Sequence, residues 1–159
     1  MKKIGRVMVV DDEENIREVL SSYLQSLGYE VETATDGQDA LDKYQEGMYD
    51  LVISDLLMPS IDGLELLKKI RARDKNVIFL MITGYPSIET AVEAIKKGAY
   101  DYITKPFHMD DVKLRIERAF EKKNLRERLS TIQGFVWALL FSIPLWLILG
   151  IILAKILAD

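Results

Sequence analysis

The sequence predicts a doubly wound α/β domain, a five-stranded parallel sheet covered by helices on both faces, followed by one transmembrane helix. Three observations carry that expectation. Short, continuously apolar runs alternate five times with stretches whose apolar residues recur at helical spacing. Most of the strand-like runs end on a polar or charged residue. Finally, the charge is partitioned: residues 1–133 hold 20 of the 21 basic and 24 of the 25 acidic residues, and the twenty positions from Phe135 to Ala154 hold none.

In order, Arg6–Val10 is a short apolar strand that stops at Asp11 and Asp12. Ile16, Val19, Leu20, Tyr23, Leu24 and Leu27 form a helical stripe that Gly28 terminates. Tyr29–Thr35 reads as the second strand, and a short helix around Ala40, Leu41 and Tyr44 is expected to run to Gly47. Leu51–Ser54 is the third strand, ending at Asp55, and Leu64, Leu67 and Ile70 mark the helix after the Met58-Pro59 loop. Val77–Ile82 leads to Thr83 and Gly84, and Ile88, Ala91, Val92 and Ile95 give the next helix. Ala99–Thr104 reaches Lys105 and Pro106, and Val112, Ile116, Ala119 and Phe120 define the last amphipathic helix. Continuous rather than alternating strands indicate a parallel sheet buried on both sides.

Seventeen of the twenty residues 135–154 are apolar, the exceptions being Ser142, Pro144 and Gly150. A helix of that length reaches ~30 Å, the thickness of a bilayer core. The competing reading is a buried core helix, but a globular helix keeps a polar stripe and this run has none. Lys122, Lys123, Arg126 and Arg128 precede it and only Lys155 follows. The positive-inside rule then puts the folded domain in the cytoplasm, on a single pass through the cytoplasmic membrane. The expected organisation is a domain over 1–124, a basic juxtamembrane linker over 125–134, the span at 135–154 and a tail at 155–159.

Composition removes several classes of chemistry. The chain has no cysteine, so disulfides, thiolate metal sites and cysteine nucleophiles are absent. His108 is its only histidine, which argues against a His-cluster metal site and reads most simply as a surface residue. A net charge of −4 and a pI near 5.2 lack the basic bias of a nucleic-acid binder. Mean hydropathy is +0.05 only because two unlike pieces are averaged.

Ligands of open α/β sheets bind outside the carboxyl ends of the strands. Asp11, Asp12, Asp55, Thr83 and Lys105 occupy such ends on four strands, so they are expected to share one rim. An aspartate after a strand is often just a helix cap. Asp55, however, precedes Leu56-Leu57-Met58-Pro59 rather than a helix, and a lysine does not cap. Three crowded carboxylates would need a divalent cation to stay ionised together, and Mg2+, a hard ion that prefers oxygen, suits them. Lys105 can neutralise a phosphoryl oxygen and Thr83 can donate to another, which prepares the site for a phosphoryl group moving onto a carboxylate. Nucleotide binding is disfavoured, because DDEEN stands where a glycine-rich phosphate loop would be and no G-x-x-x-x-G-K-[ST] occurs.

Residues 4–121 resemble a response-regulator receiver domain of bacterial two-component signalling, with its flavodoxin-like fold. The resemblance rests on VVDDE (Val9–Glu13), LVISDLLMPSIDG (Leu51–Gly63), MITGY (Met81–Tyr85) and GAYDYITKPF (Gly98–Phe107). It implies that Asp55 accepts a phosphoryl group from the phosphohistidine of a sensor histidine kinase. It implies Mg2+ held by Asp12, Asp55 and the backbone carbonyl of Leu57, with Asp11 assisting. Lys105 would pair with the acceptor carboxylate, across a Lys105-Pro106 bond that the family usually holds in cis. Thr83 and Tyr102 would be the switch residues. Such a protein is a phosphoacceptor, catalysing at most its own phosphorylation and dephosphorylation, rather than an enzyme with a separate substrate.

The combined expectation is a membrane-tethered, single-domain response regulator whose fourth helix, fifth strand and fifth helix form a switchable face. That face would act on a membrane protein partner or a second copy, and not on nucleic acid, since no helix-turn-helix is recognisable after residue 133. The alternative is a membrane adaptor of receiver fold that binds partners without phosphotransfer. An aspartate-nucleophile phosphatase would need a second carboxylate two residues after Asp55, where Leu57 stands.

Overall fold

The computed structural model describes residues 5–125 and, beyond them, Leu129, Trp137, Ala138, Leu140 and Ser142. The chain divides into two compact units, Met1–Ala119 and Phe120–Asp159. In the first, strands β1 (Arg6–Val10), β2 (Glu30–Ala34), β3 (Leu51–Asp55), β4 (Ile78–Thr83) and β5 (Asp101–Thr104) form one sheet in the order β2-β1-β3-β4-β5. Every pairing is parallel. Helices α1 (Glu14–Ser26), α2 (Gly37–Lys43), α3 (Gly63–Arg73) and α4 (Ile88–Lys96) alternate with the strands. A fifth helix, α5, begins at residue 109, and residues 109–119 of it belong to this unit. Residues 120–125 are helical in the second unit.

The inner strands β1, β3 and β4 are buried because both faces are covered, whereas the edge strands β2 and β5 are only partly so. Met8, Val10, Val52, Phe79 and Met81 pack in one core with Ala40 of α2, Leu66, Leu67 and Ile70 of α3, and Ala94 of α4. The intervening residues Val7, Val9, Leu51, Ile53, Leu80 and Ile82 are equally buried and, by strand alternation, face the other layer. Leu20 and Leu24 of α1 and Val112, Ile116 and Ala119 of α5 are buried as well. The helices start where the sequence offers an acceptor. Asp36 caps α2, Asp62 caps α3 and Ser87 caps α4, each accepting a first-turn N–H. Gly28, at φ +89°, sits just past the C-cap of α1.

The structure amends the sequence reading in three places. Helix α2 stops at Lys43 rather than Gly47, because Tyr44 turns extended and its hydroxyl donates to buried Asp74 at 3.0 Å. In α3 the fully buried side chains are Leu66, Leu67 and Ile70, so Leu66 is the core position that the stripe through Leu64 misses. The stripe that marks α4 lies largely in solvent: Ile88 is 79 % exposed, Val92 45 % and Ile95 49 %, while Ala94 alone is buried. Among the described residues, no helix is long and apolar enough to cross a membrane. The predicted span at 135–154 lies outside the described residues except at Trp137, Ala138, Leu140 and Ser142.

Candidate functional site

The strand order makes β1 and β3 neighbours, with Val10 level with Ser54, so the residues that follow them emerge side by side. Asp11 is 2 % exposed. Its Oδ1 accepts the Glu13 N–H at 2.9 Å, which turns the chain into α1. Arg17, one turn into that helix, donates to the Asp11 and Asp12 carbonyls at 2.6 and 2.9 Å and so fixes the loop.

Asp55 ends β3, one residue before Leu56 donates its N–H to the Ile82 carbonyl at 2.8 Å. Its Oδ2 accepts the Leu57 N–H at 2.8 Å. The close approach of α3 to this point needs Gly63. A Cβ there would stand 2.2 Å from the Asp55 carbonyl oxygen and 2.8 Å from Met81 Sδ. Any side chain at 63 would push on the backbone that carries the carboxylate.

Lys105 follows the edge strand β5 and closes the site. Its N–H donates to the Thr83 carbonyl at 2.7 Å, and its bond to Pro106 is cis. Its Nζ lies 2.9 Å from Asp11 Oδ2, 2.9 Å from Asp55 Oδ1 and 3.2 Å from Glu13 Oε1. Asp55 Oδ1 thus faces an ammonium rather than a backbone donor. Burial pushes the Asp55 carboxyl above the usual carboxylate range, an effect that Lys105 opposes and Asp11 reinforces. Burial alone would lower the Lys105 ammonium, but Asp11 and Asp55 outweigh it and hold the charge.

Of the predicted set, Asp11, Asp55 and Lys105 are in contact. Thr83 is fully buried at the end of β4, and its hydroxyl accepts the Tyr85 N–H at 3.1 Å. Asp12 is exposed and Leu57 is 52 % exposed. Tyr102 lies elsewhere, its hydroxyl 2.9 Å from Thr90 Oγ1 on α4. His108 is exposed, and its carbonyl accepts the Asp111 N–H at the start of α5. Glu13 and Arg17 were missed as contributors. Glu13 was legible only as the third acid of DDE, and Arg17 carries no local signal, because its partners are backbone carbonyls.

Of the set expected to hold a cation, Asp11, Asp12, Asp55 and the Leu57 carbonyl, the structure brings Asp11 and Asp55 onto one ammonium. No group of three or more Asp, Glu, His or Cys among the described residues is arranged to hold a metal ion, and an ammonium already stands between Asp11 and Asp55. The donor chemistry nonetheless suits Mg2+: every candidate ligand is a hard oxygen, and the carboxylates of Asp11 and Asp55 already converge on one positive charge. Chemically, the rim offers a buried carboxylate nucleophile, a fixed cation 2.9 Å from it, and a neighbouring hydroxyl.

Comparison with known proteins agrees on one family. The model of the response regulator receiver domain matches residues 7–117. Regulatory protein AtoC of Escherichia coli is 36 % identical over 129 residues, 81 % of this chain and 28 % of its own length. Transcriptional regulatory protein ZraR of Klebsiella oxytoca is 39 % identical over 121 residues, 76 % of this chain and 27 % of its own. The chain thus spans little more than a quarter of these relatives. Among solved structures, a CheY-like receiver domain protein of Methanospirillum hungatei aligns with TM-score 0.75 and 30 % identity, covering 78 % of this chain and 99 % of that one. Chemotaxis protein CheY4 of Vibrio cholerae aligns at 0.69 and 38 %, covering 73 % and 98 %.

Proposed function

The chain belongs to the response regulator receiver domain family; from that membership we propose that it is a phosphoacceptor switch, and from the uncharged run 135–154 that it is tethered to the cytoplasmic face of a membrane. An oxygen of Asp55 attacks phosphorus, the phosphorus–nitrogen bond of a kinase phosphohistidine breaks, and the departing imidazole takes up a proton. Asp55 Oδ2 accepts the Leu57 N–H, whereas Oδ1 faces the Lys105 ammonium at 2.9 Å. Lys105 neutralises charge on the incoming phosphoryl oxygens, and Thr83, whose hydroxyl accepts the Tyr85 N–H, has its one proton to donate to one of them. Asp11, Asp12, Asp55 and the Leu57 carbonyl would hold Mg2+, which when bound supplies positive charge to the phosphoryl group.

One observation carries the reading: a single ammonium 2.9 Å from carboxylates of β1 and β3, delivered by the loop after β5. The test is the intact mass of the detergent-solubilised chain given Mg2+ and a small phosphodonor, beside Asp55→Asn. The expected result is one phosphoryl adduct, absent from the variant and absent without Mg2+. Correctly folded protein that takes no adduct would instead favour the adaptor that binds without phosphotransfer.

The tether is supported by the uncharged run 135–154 and by the 60 % and 57 % exposure of Trp137 and Leu140. Co-sedimentation with membranes that survives alkaline extraction and is lost on deleting 135–159 is the expected result. The names of the curated relatives favour a second reading, in which this receiver serves transcriptional control. Promoter occupancy that responds to phosphorylation would support that reading over a membrane partner or a second copy.

A further inference from the structure

Helix α4 is weakly held. Of its nine residues only Ala94 is fully buried, and its apolar stripe faces solvent. Its first turn nevertheless carries a closed set of hydrogen bonds. The Thr90 N–H donates to Ser87 Oγ at 3.1 Å, and Thr90 Oγ1 donates to the Ser87 carbonyl at 3.2 Å. The same oxygen lies 3.1 Å from Ser87 Oγ and 2.9 Å from the Tyr102 hydroxyl. A hydroxyl has one proton and two lone pairs. One proton and two lone pairs on Thr90 Oγ1 suffice for all three contacts, and either hydroxyl of the Thr90–Tyr102 pair can be the donor. Tyr102 is half-buried on β5 and packs against the core under α2, α3 and α4.

We propose that Thr90 is a positioning residue, a tether through which the first turn of α4 holds the Tyr102 side chain on β5 and is itself held to the sheet. Ser87 begins α4 two residues after Tyr85, whose N–H is bound by the Thr83 hydroxyl. A displacement of the loop after β4 that moves Ser87 would therefore reach Tyr102 through Thr90. That consequence for signalling rests on the phosphoacceptor reading, whereas the tether itself exists without any phosphodonor and is tested without one.

The experiment is amide hydrogen exchange on the full chain in detergent, unphosphorylated, comparing wild type with Thr90→Val, Thr90→Ser, Tyr102→Phe and the double variant Thr90→Val/Tyr102→Phe. Loss of one part-buried hydrogen bond should speed exchange in α4 about fivefold. Tyr102→Phe should show that acceleration, Thr90→Val, which also loses the two contacts of its hydroxyl to Ser87, should show at least as much, the double variant no more than Thr90→Val, and Thr90→Ser should keep the wild-type rate. Unchanged α4 exchange in Thr90→Val, or single effects that multiply in the double variant, would overturn the tether. So would an acceleration shared by β1 and β3 amides, since that reports a global loss of stability.

Discussion

Replacing Asp55 with asparagine should stabilise the fold at neutral pH in the absence of divalent cations. Asp55 Oδ1 and Asp11 Oδ2 each lie 2.9 Å from Lys105 Nζ, so they are no farther apart than twice that, about 6 Å. Two unit charges at about 6 Å repel by about 3 kcal/mol at an effective dielectric of about 20, and the pair at 2.9 Å attracts by about 6 kcal/mol. Taking the carboxylate out of water costs several kcal/mol more, and its side chain is only 7 % exposed. Repulsion and desolvation together outweigh the attraction, in agreement with the raised Asp55 carboxyl. Removing the charge should therefore gain ~1–2 kcal/mol, which raises Tm by about 4–8 °C in a domain of this size.

The pH dependence has a definite sign. A group whose folded pKa lies above its unfolded value gives stability that is fully present below the unfolded pKa and lost as pH rises through the folded one. Wild type and Asp55→Asn should thus converge near pH 4 and diverge above it. Differential scanning calorimetry of both proteins with chelator, from pH 4 to 8, measures the gap. Added Mg2+ should narrow or reverse it, because a ligand of the native state stabilises only the protein that binds it. An asparagine variant less stable than wild type at neutral pH would refute the reasoning, since the Lys105 pair would then outweigh burial. A gap independent of pH would refute it too.

Gly63→Ala should cost ~1–3 kcal/mol in chemical denaturation and lower the phosphoryl adduct yield, because its Cβ would meet the Asp55 backbone at 2.2 Å. Asp74→Ala should cost ~2–3 kcal/mol by the same assay, since it orphans the Tyr44 hydroxyl and the Gly47, Asn76 and Val77 N–H groups that Asp74 now accepts. Burial pushes the Asp74 carboxyl up, but these hydrogen bonds outweigh it and hold it below the usual range. The stability it provides is present above about pH 4 and is lost as pH falls through its folded value, so wild type and Asp74→Asn should converge in acid. Leu57 and Tyr85 stand two residues after Asp55 and Thr83 with their side chains largely exposed, and we expect them to fold over a bound phosphoryl group, hinder water and give an aspartyl-phosphate that lasts minutes or longer. Decay of the adduct mass over time measures this; Tyr85→Ala should shorten the lifetime, and a wild-type half-life of seconds would refute the shielding.

Much of this protein is legible along the chain because local chemistry sets it. Five expected strands form within a few residues; β1, β3 and β4 read as apolar runs because a strand buried on both faces tolerates no polar interruption, while the edge strands β2 and β5 keep polar residues. Asp36, Asp62 and Ser87 start helices because each can accept an orphan N–H in the next turn. The polar residues at strand ends were visible as a set for the same reason.

What only the tertiary structure decided are relations between distant residues. The order β2-β1-β3-β4-β5 brings Lys105 to Asp11, 94 residues away, and makes an ammonium the neighbour that compensates two buried carboxylates. The helical stripe of Ile88, Val92 and Ile95 shows periodicity but not which side is covered, and packing left it in solvent with Ala94 underneath. The bond from Thr90 to Tyr102 has no sequence signature at all. Periodicity records which residues share a face, whereas side-chain hydrogen bonds depend on how two elements meet, and that is fixed only when the whole sheet closes.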